Sequence, residues 1–438
     1  MQDAFIEYTS QLFGEERWQR YLDAFNEPTP VSIRLNPFKV GNPFNAGGDM
    51  VVPQHDSTAI PPAMPMLQDA VPIPWCRGGY WLTERPKFTL DPLLHAGCYY
   101  VQEAGSMFLD RILQQHMPDD TLCCLDLCAA PGGKSTLLRA AMPSSSVLFS
   151  NEPDRHRANI LVENLQKQGH PGVFVTSNYP LDFVRAGMLF DVILADVPCS
   201  GEGLFRRDAA AMDEWSVQNV MRCAELQRSI VRDIWPCLRP GGLLIYSTCT
   251  FNTHEDEENA RWIQQEYRAE MLSVDTEAGW NITGSLLEGF DAPVYRFIPG
   301  TSRSEGLFMC VLRKHADKRY TTSVTNDRKK LEKQTKKLRV LYDGIPRGEQ
   351  KGRDIIPAHA EALSISRDTT RYPMVELTAD DALRYLHREA ITLPPDTPRG
   401  YVIVTFAGHT LGFMKHLGNR ANNLYPKEWA IKQLLNKE

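Results

Sequence analysis

The chain has no apolar run near the roughly 20 residues that cross a bilayer, and its first residues, Met1-Gln2-Asp3-Ala4-Phe5, carry no basic start of a secretory signal. Both absences predict a protein that stays in the cytoplasm without a membrane partner. Paired Cys-x-x-Cys spacing is also missing: ten cysteines stand at 76, 98, 123, 124, 128, 199, 223, 237, 249 and 310, so no zinc or other metal is expected. Most of them are expected to be small buried hydrophobes in a reducing compartment. Nor is there a net positive charge. The total is −6, which by itself gives no sign of a nucleic-acid partner. The balance is uneven, however: Arg313 to Arg339 holds eleven Lys/Arg against three Asp/Glu, a local +8 that leaves the rest at −14. Such a run either binds phosphate backbone or is a solvated helix or linker.

A chain of 438 residues exceeds one hydrophobic core, which predicts roughly two to four domains. Residues 1–100 read as a small α+β lead-in packed on the catalytic domain. In it, Ala4 to Phe25 has helical apolar spacing, Val31 to Asn36 alternates as a strand does, and 41–74 is a Pro/Gly-rich loop. From 101 to 314, short apolar runs alternate with helical stretches, the pattern of a doubly wound α/β sheet with parallel strands. Strands are predicted at Leu122–Leu127, Ser146–Ser150, Gly172–Thr176, Asp191–Val197, Gly242–Ser247 and Leu307–Leu312, with helices at Pro153–Lys167 and Asp213–Trp235. A basic linker, 315–345, leads to a C-terminal unit, 346–438, with a helix at Asp380–Glu389 and a strand at Tyr401–Phe406. That unit is too short for a second catalytic domain and reads as a binding module.

The first sheet strand runs into Cys128-Ala129-Ala130-Pro131-Gly132-Gly133-Lys134-Ser135 and then a helix. Small residues beyond a strand's carboxyl end let backbone N–H groups approach a ligand. Gly-Lys-Ser suggests a phosphate loop, but that motif needs glycine five positions before Gly133, where Cys128 stands. The second strand ends at Asn151-Glu152. A carboxylate there accepts hydrogen bonds from ribose hydroxyls, unless Glu152 is only a solvated loop acid. Asp196-Val197-Pro198-Cys199-Ser200-Gly201-Glu202-Gly203 and Ser247-Thr248-Cys249-Thr250-Phe251-Asn252 each follow a predicted strand. If these are the fourth and fifth, they are neighbours and both cysteines face one crevice.

With Val101-Gln102-Glu103-Ala104-Gly105-Ser106, these motifs closely resemble the Nop/Sun family of RNA cytosine-5 methyltransferases, and in overall layout its bacterial ribosomal small-subunit methyltransferase F branch. The resemblance implies a Rossmann-like domain binding S-adenosylmethionine, with cofactor contacts from Cys128 to Lys134, Glu152 and Asp196. It also implies Cys249 as nucleophile and Cys199 as the residue needed for product release. The chemistry fits those residue types. Cytosine C5 is a poor nucleophile, a thiolate adding to C6 activates it, Asp196 would stabilise charge at N3, and a second thiol would serve the loss of the C5 proton. Asn178 stands where the family usually has an Asp near the adenine, and its amide offers a donor as well as an acceptor. Gly105 replaces a serine, with Ser106 alongside.

The C-terminal unit looks like the branch's RNA-binding, PUA-like extension. In it Lys415, Arg420 and Tyr425 would contact backbone and bases, or be ordinary surface charge around a core tyrosine. Arg206 and Arg207, beside the catalytic loop, are phosphate candidates for a single-stranded or flipped cytosine. The expected partner is small-subunit ribosomal RNA. The same chemistry on tRNA, or a non-catalytic RNA-binding assembly factor, are the alternatives.

Overall fold

The structure, a computed structural model, describes residues 1–40, 64–316, 328–352 and 354–432. It opens with helix Asp3–Ala24, broken at Gly14, whose φ of +70° lies outside the helical region. Strands β1 (Val31–Leu35), β2 (Val71–Pro72), β3 (Gly79–Leu82) and β4 (Tyr99–Val101) form an antiparallel sheet in the order β2-β3-β1-β4. Of the predicted 41–74 loop, residues 41–63 lie outside the described residues; the remainder contains a short 3₁₀ turn, Pro65–Leu67, and β2.

The central sheet is built from β5 (Cys123–Asp126), β6 (Val147–Asn151), β7 (Val173–Thr176), β8 (Phe190–Asp196) and β9 (Leu238–Thr248), all parallel to their neighbours among themselves. Four more strands join antiparallel: β10 (Glu270–Met271), β11 (Tyr295–Phe297), β12 (Leu307–Arg313) and β13 (Val340–Tyr342). The order is β10-β12-β9-β8-β5-β6-β7-β13, with β11 on β12. All six predicted strands are present, because alternating side chains feed two cores. Cys123 and Leu125 join Ile193, Leu244 and Tyr246 on one face; Cys124 joins Leu148, Leu194 and Ile245 on the other. Helices Phe108–His116 and Gly133–Ala141 cover the second of these faces, and Pro180–Ala186, Val217–Ile234 and Glu257–Tyr267 the first.

From β5 the chain steps outward to β6 and β7, then returns to β8 and β9 on the other side. The switch point therefore lies between β5 and β8, where a crevice opens beyond their carboxyl ends. β8 and β9 are the fourth and fifth strands and pair in parallel, with Asp196 opposite Ser247.

Two expected elements differ. The helix predicted at Asp213–Trp235 is two helices, Ala209–Glu214 and Val217–Ile234, because Trp215 is extended and buried, its Nε1 donating to Glu202 Oε1 at 2.9 Å. Ser216 then caps the second helix through Asn219 N–H. The basic linker also carries structure. Residues 317–327 lie outside the described residues, but helix Arg328–Thr335 follows and β13 extends the central sheet beyond β7.

The C-terminal part contains a hairpin, β14 (Glu349–Lys351) and β15 (Asp354–Ile356), and the sheet β16 (Met374–Glu376), β17 (Gly400–Phe406), β18 (His409–His416) and β19 (Ala421–Asn423). Ile33, Leu35, Leu82 and Tyr99 of the N-terminal sheet share one core with Leu386, Val402, Leu411, Met414 and Tyr425.

Candidate active site

β5 ends at Asp126, whose carboxylate is fully buried: Ser135 Oγ donates to Oδ2 at 2.6 Å, and Oδ1 has no partner among the described residues. Burial, partly offset by the Ser135 bond and reinforced by the charge of Asp196, pushes its pKa up to about 7. The loop from Cys128 to Lys134 is held from outside: Ala129 N–H donates to Asn151 O (2.8 Å), Arg157 Nη2 to Ala130 O (3.0 Å) and Asn164 Nδ2 to Pro131 O (2.8 Å). Gly132, at φ +117°, turns the chain into helix Gly133–Ala141, whose first N–H groups have no side-chain cap. Burial pushes the Cys128 thiol well up, so it stays neutral.

Beside this loop, Glu152 accepts Asp154 N–H at 3.0 Å and lies 3.4 Å from Arg157 Nη1. Sequence reasoning passed over its neighbour Asn151. The buried Asn151 amide donates to Leu127 O (3.0 Å) and Asn178 O (2.9 Å) and accepts from Thr176 Oγ1 (2.9 Å) and Asn178 N–H (3.0 Å), tying the ends of three strands together. Its position at a strand end, next to the predicted ribose acid, was the available signal. Asn178 has a second role that the sequence did not show. Its side-chain Oδ1 accepts Arg339 N–H at 3.0 Å and its Nδ2 donates to Arg339 O at 3.2 Å, so the amide is held by the segment entering β13 while one donor and one lone pair remain.

Across the switch point, the Asp196 carboxylate accepts Ser247 Oγ at 2.7 Å and Lys134 Nζ at 2.9 Å. Lys134 thus leaves its loop and joins the end of β8. Burial opposes its charge, yet the charge and hydrogen bond of Asp196, with a contribution from Cys249, raise its pKa overall. Cys199 and Cys249, the expected pair, meet: their sulfurs are 3.0 Å apart, and Cys249 N–H points at Cys199 Sγ at 3.3 Å. Seven of the ten cysteines are buried, whereas these two and Cys128 are partly accessible. The Cys199 pKa is raised well above the ordinary thiol value, by the hydrogen bond with Cys249, by burial, and by the charges of Cys249 and Glu255.

Buried polar groups hold the two cysteine loops. Gly203 N–H donates to Cys249 O at 2.9 Å, and a Cβ on Gly203 would sit 2.7 Å from Gly306 O. Glu202 accepts Phe251 N–H (2.9 Å) and Asn252 Nδ2 (3.0 Å). Behind Cys249, Thr248 Oγ1 donates to Asp256 Oδ1 at 2.6 Å, and the fully buried Arg296 binds Asp256 (3.1 Å) and, through two nitrogens, Glu257 (2.5 and 2.6 Å). The N-terminal helix packs Phe5, Phe13 and Tyr21 against Phe205, Trp215 and Phe251. Arg34 of β1, also buried, donates to Gln102 Oε1 (2.9 Å) and Thr136 Oγ1 (2.6 Å), joining the lead-in to the loop helix.

Two expected RNA contacts are corrected. The Arg206 side chain is only 5% exposed and is clamped to Glu305 (3.0 Å), Glu27 O (3.1 Å) and Pro28 O (3.4 Å), a strut between loops rather than a phosphate ligand. Tyr425 is fully buried, its hydroxyl 3.1 Å from His95 Nδ1; it is a core tyrosine. Arg207 lies 3.3 Å from the same Glu305 but stays partly exposed. Arg420 is exposed, and Lys415 lies over the Tyr401 ring at 5.0 Å. Among the described residues no group of three His, Cys, Asp or Glu could hold a metal, and no helix is long and apolar enough to cross a membrane.

Comparison with known proteins gives a consistent picture along the chain. The family described as 16S rRNA methyltransferase RsmB/F matches residues 111–341, the N-terminal domain of 16S rRNA methyltransferase RsmF matches 1–104, and the methyltransferase RsmF PUA domain matches 372–431. A ribosomal RNA small subunit methyltransferase F of Enterobacter sp. (strain 638) is 27% identical over 93% of this chain and 91% of its own length. That of Aliivibrio salmonicida is 30% identical over 82% and 85%. The Pectobacterium atrosepticum protein of the same name is 33% identical over 67% of this chain, a match spanning 58% of that relative. Among solved structures, NSun6 from Pyrococcus horikoshii with SFG is similar at a TM-score of 0.56 and 18% identity, over 72% of this chain and 99% of that one; at that identity the likeness is one of fold. A lead-in, a Rossmann-like sheet and a PUA domain in this order, around paired strand ends carrying the family's motifs, assign the chain to the 16S rRNA methyltransferase RsmB/F family.

Proposed function

We propose that the protein forms 5-methylcytosine in small-subunit ribosomal RNA, using S-adenosylmethionine and a covalent bond between Cys249 and C6 of the target cytosine. The observation that carries this reading is the 3.0 Å approach of Cys199 and Cys249 at the ends of adjacent strands. The loop at 128–134 suits an adenosyl cofactor because Asp126 Oδ1 is buried without a partner among the described residues and the helix after Gly132 has no side-chain cap. Residues 128–133 and Glu152 would hold it, and when bound it supplies an electrophilic methyl group.

In this mechanism the Cys249 thiolate adds to C6, with the Lys134 ammonium as the nearby positive charge. Charge pushed onto the ring at N3 meets Asp196 and the lysine it holds. The release step follows from the causes that keep Cys199 protonated. Two of them, the hydrogen bond and the charge of Cys249, vanish once the Cys249 sulfur is bonded to carbon. Cys199 then becomes easier to ionise at the stage when a base must take the C5 proton, so that the Cys249–C6 bond breaks and the ring regains its double bond.

Bisulfite sequencing of total RNA from cells with and without the gene tests reaction, base and target together. Loss of one signal in small-subunit rRNA is expected. A lost tRNA signal instead would move the substrate, and no change anywhere would favour an assembly factor. Cys249→Ala should abolish methylation, and Cys199→Ala should trap a protein–RNA adduct visible on a denaturing gel.

A further inference from the structure

Cys199 has no rigid element of its own, since it sits in the irregular segment between β8 and a 3₁₀ turn at Glu202–Leu204. Both peptide groups beside it are nevertheless pinned from below. Gln227, on helix Val217–Ile234, donates from Nε2 to Pro198 O at 2.9 Å, and Glu255, six residues after Cys249, accepts Ser200 N–H at 3.0 Å. The two pins are joined, because the same Gln227 Nε2 donates to Glu255 Oε2 at 2.7 Å.

Neither side chain has any exposed surface. The Gln227 amide is fully used: two donors to Pro198 and Glu255, and an Oε1 that accepts Tyr246 Oη (2.9 Å) and Asn259 Nδ2 (2.8 Å). Asn252 Nδ2 completes Glu255 at 2.8 Å. An apolar side chain on this face of the helix would fill the same volume at less desolvation cost. What the polar pair adds is a grip on residues 198 and 200, with Cys199 between them. Through Glu255 the grip also reaches the segment that follows Cys249.

We propose that Gln227 and Glu255 are positioning residues for Cys199, setting its sulfur against the Cys249–C6 bond so that release follows methyl transfer. The inference rests on the release role given to Cys199 above. Its consequence is a selective defect: without the pair, product release slows more than methyl transfer does.

The experiment uses the full-length protein and in vitro transcribed 16S rRNA, comparing wild type with Gln227→Met, Glu255→Gln and Cys199→Ala. Single-turnover transfer of a labelled methyl group is read alongside the fraction of protein in a covalent adduct. In the Gln227 and Glu255 variants, the adduct should persist roughly tenfold longer than in wild type, with a smaller loss in the transfer rate. A wild-type adduct lifetime in both, while Cys199→Ala traps the adduct, would overturn the positioning role and leave the release role standing. Free release from Cys199→Ala would remove the release role and the inference with it. A second readout needs no RNA and no turnover: diamide should oxidise the two thiols to a Cys199–Cys249 disulfide, itself being reduced to the hydrazide. The variants should form that disulfide several-fold more slowly, and equal rates would count against positioning.

Discussion

Arg296 is the residue whose loss should be felt most. It is fully buried together with both its partners, making one bond to Asp256 and two to Glu257. Arg296→Met keeps much of the volume but strands two carboxylates with no opposing charge. Removing one partner of a buried pair costs about 3–5 kcal/mol, which for a unit of this size lowers the melting temperature by roughly 10 °C. The loss should also depend on pH. Asp256 is already raised well above the usual carboxylate range by burial, against the pull of Arg296. Without the arginine it rises further, so the folded variant binds a proton that the unfolded chain has released. That contribution is present at low pH and lost as pH rises, so the deficit should be smaller near pH 5 than near pH 8. Thermal melts followed by near-UV circular dichroism at both pH values measure it. A deficit below about 1 kcal/mol, the range of an exposed ion pair, or one that grows on acidification would refute the reasoning.

Asp126 and Glu255 are both pushed up to about 7, chiefly by burial, from ordinary values of 3.8 and 4.5. Their contributions to stability are therefore present below about pH 4 and lost as pH rises through 7, so the stability difference between wild type and Asp126→Asn should fall across that window and level off above it; a flat difference in denaturant titrations would contradict the assignment. Tyr425→Phe removes one buried hydroxyl bond and should lower stability by about 1 kcal/mol while leaving RNA affinity in filter binding unchanged; weaker binding without destabilisation would return Tyr425 to the RNA surface. Gly203→Ala places a Cβ against Gly306 O and 3.0 Å from Cys249 O. It should reduce methyl transfer at least roughly tenfold by displacing the Cys249 loop, an effect that a wild-type rate would exclude.

The strands and the crevice were legible in the sequence because period-two alternation and strand-end motifs are local signals. Cys124 and Leu125 face opposite cores for the same reason that their run read as a strand. The meeting of Cys199 with Cys249 was also readable, since it follows from two motifs and the rule that the fourth and fifth strands are neighbours. Contacts set by distant segments were not. Arg206 reads as a surface phosphate ligand until Glu305, 99 residues away, is folded against it. Tyr425 looks like an RNA-contacting residue until His95, 330 residues away, meets its hydroxyl and Tyr385, His359 and Trp429 surround its ring. The bond of Asn178 to Arg339 was hidden because that partner lies 161 residues on, in a stretch whose charge made it look like solvated linker. Gln227 carried no motif at all and only its buried hydrogen bonds mark it, whereas Asn151 offered no more than its place at a strand end beside Glu152.

The return of the chain to the central sheet at β13 limits how this protein can be divided. A truncation ending before Arg339 would bare the outer edge of β7, leaving the backbone groups of Val173–Thr176 open to pairing with another molecule, and would strip the Asn178 side chain of its two bonds to Arg339. A truncation just after Tyr342 would spare that edge but uncover Leu35, Leu82 and Tyr99, whose core is completed by residues beyond 377. Neither cut yields a clean catalytic fragment. The PUA module is also a lid on the lead-in sheet, and through Arg34 that sheet bears on the loop helix, so domain-deletion experiments on this chain would report on solubility before they report on substrate recognition.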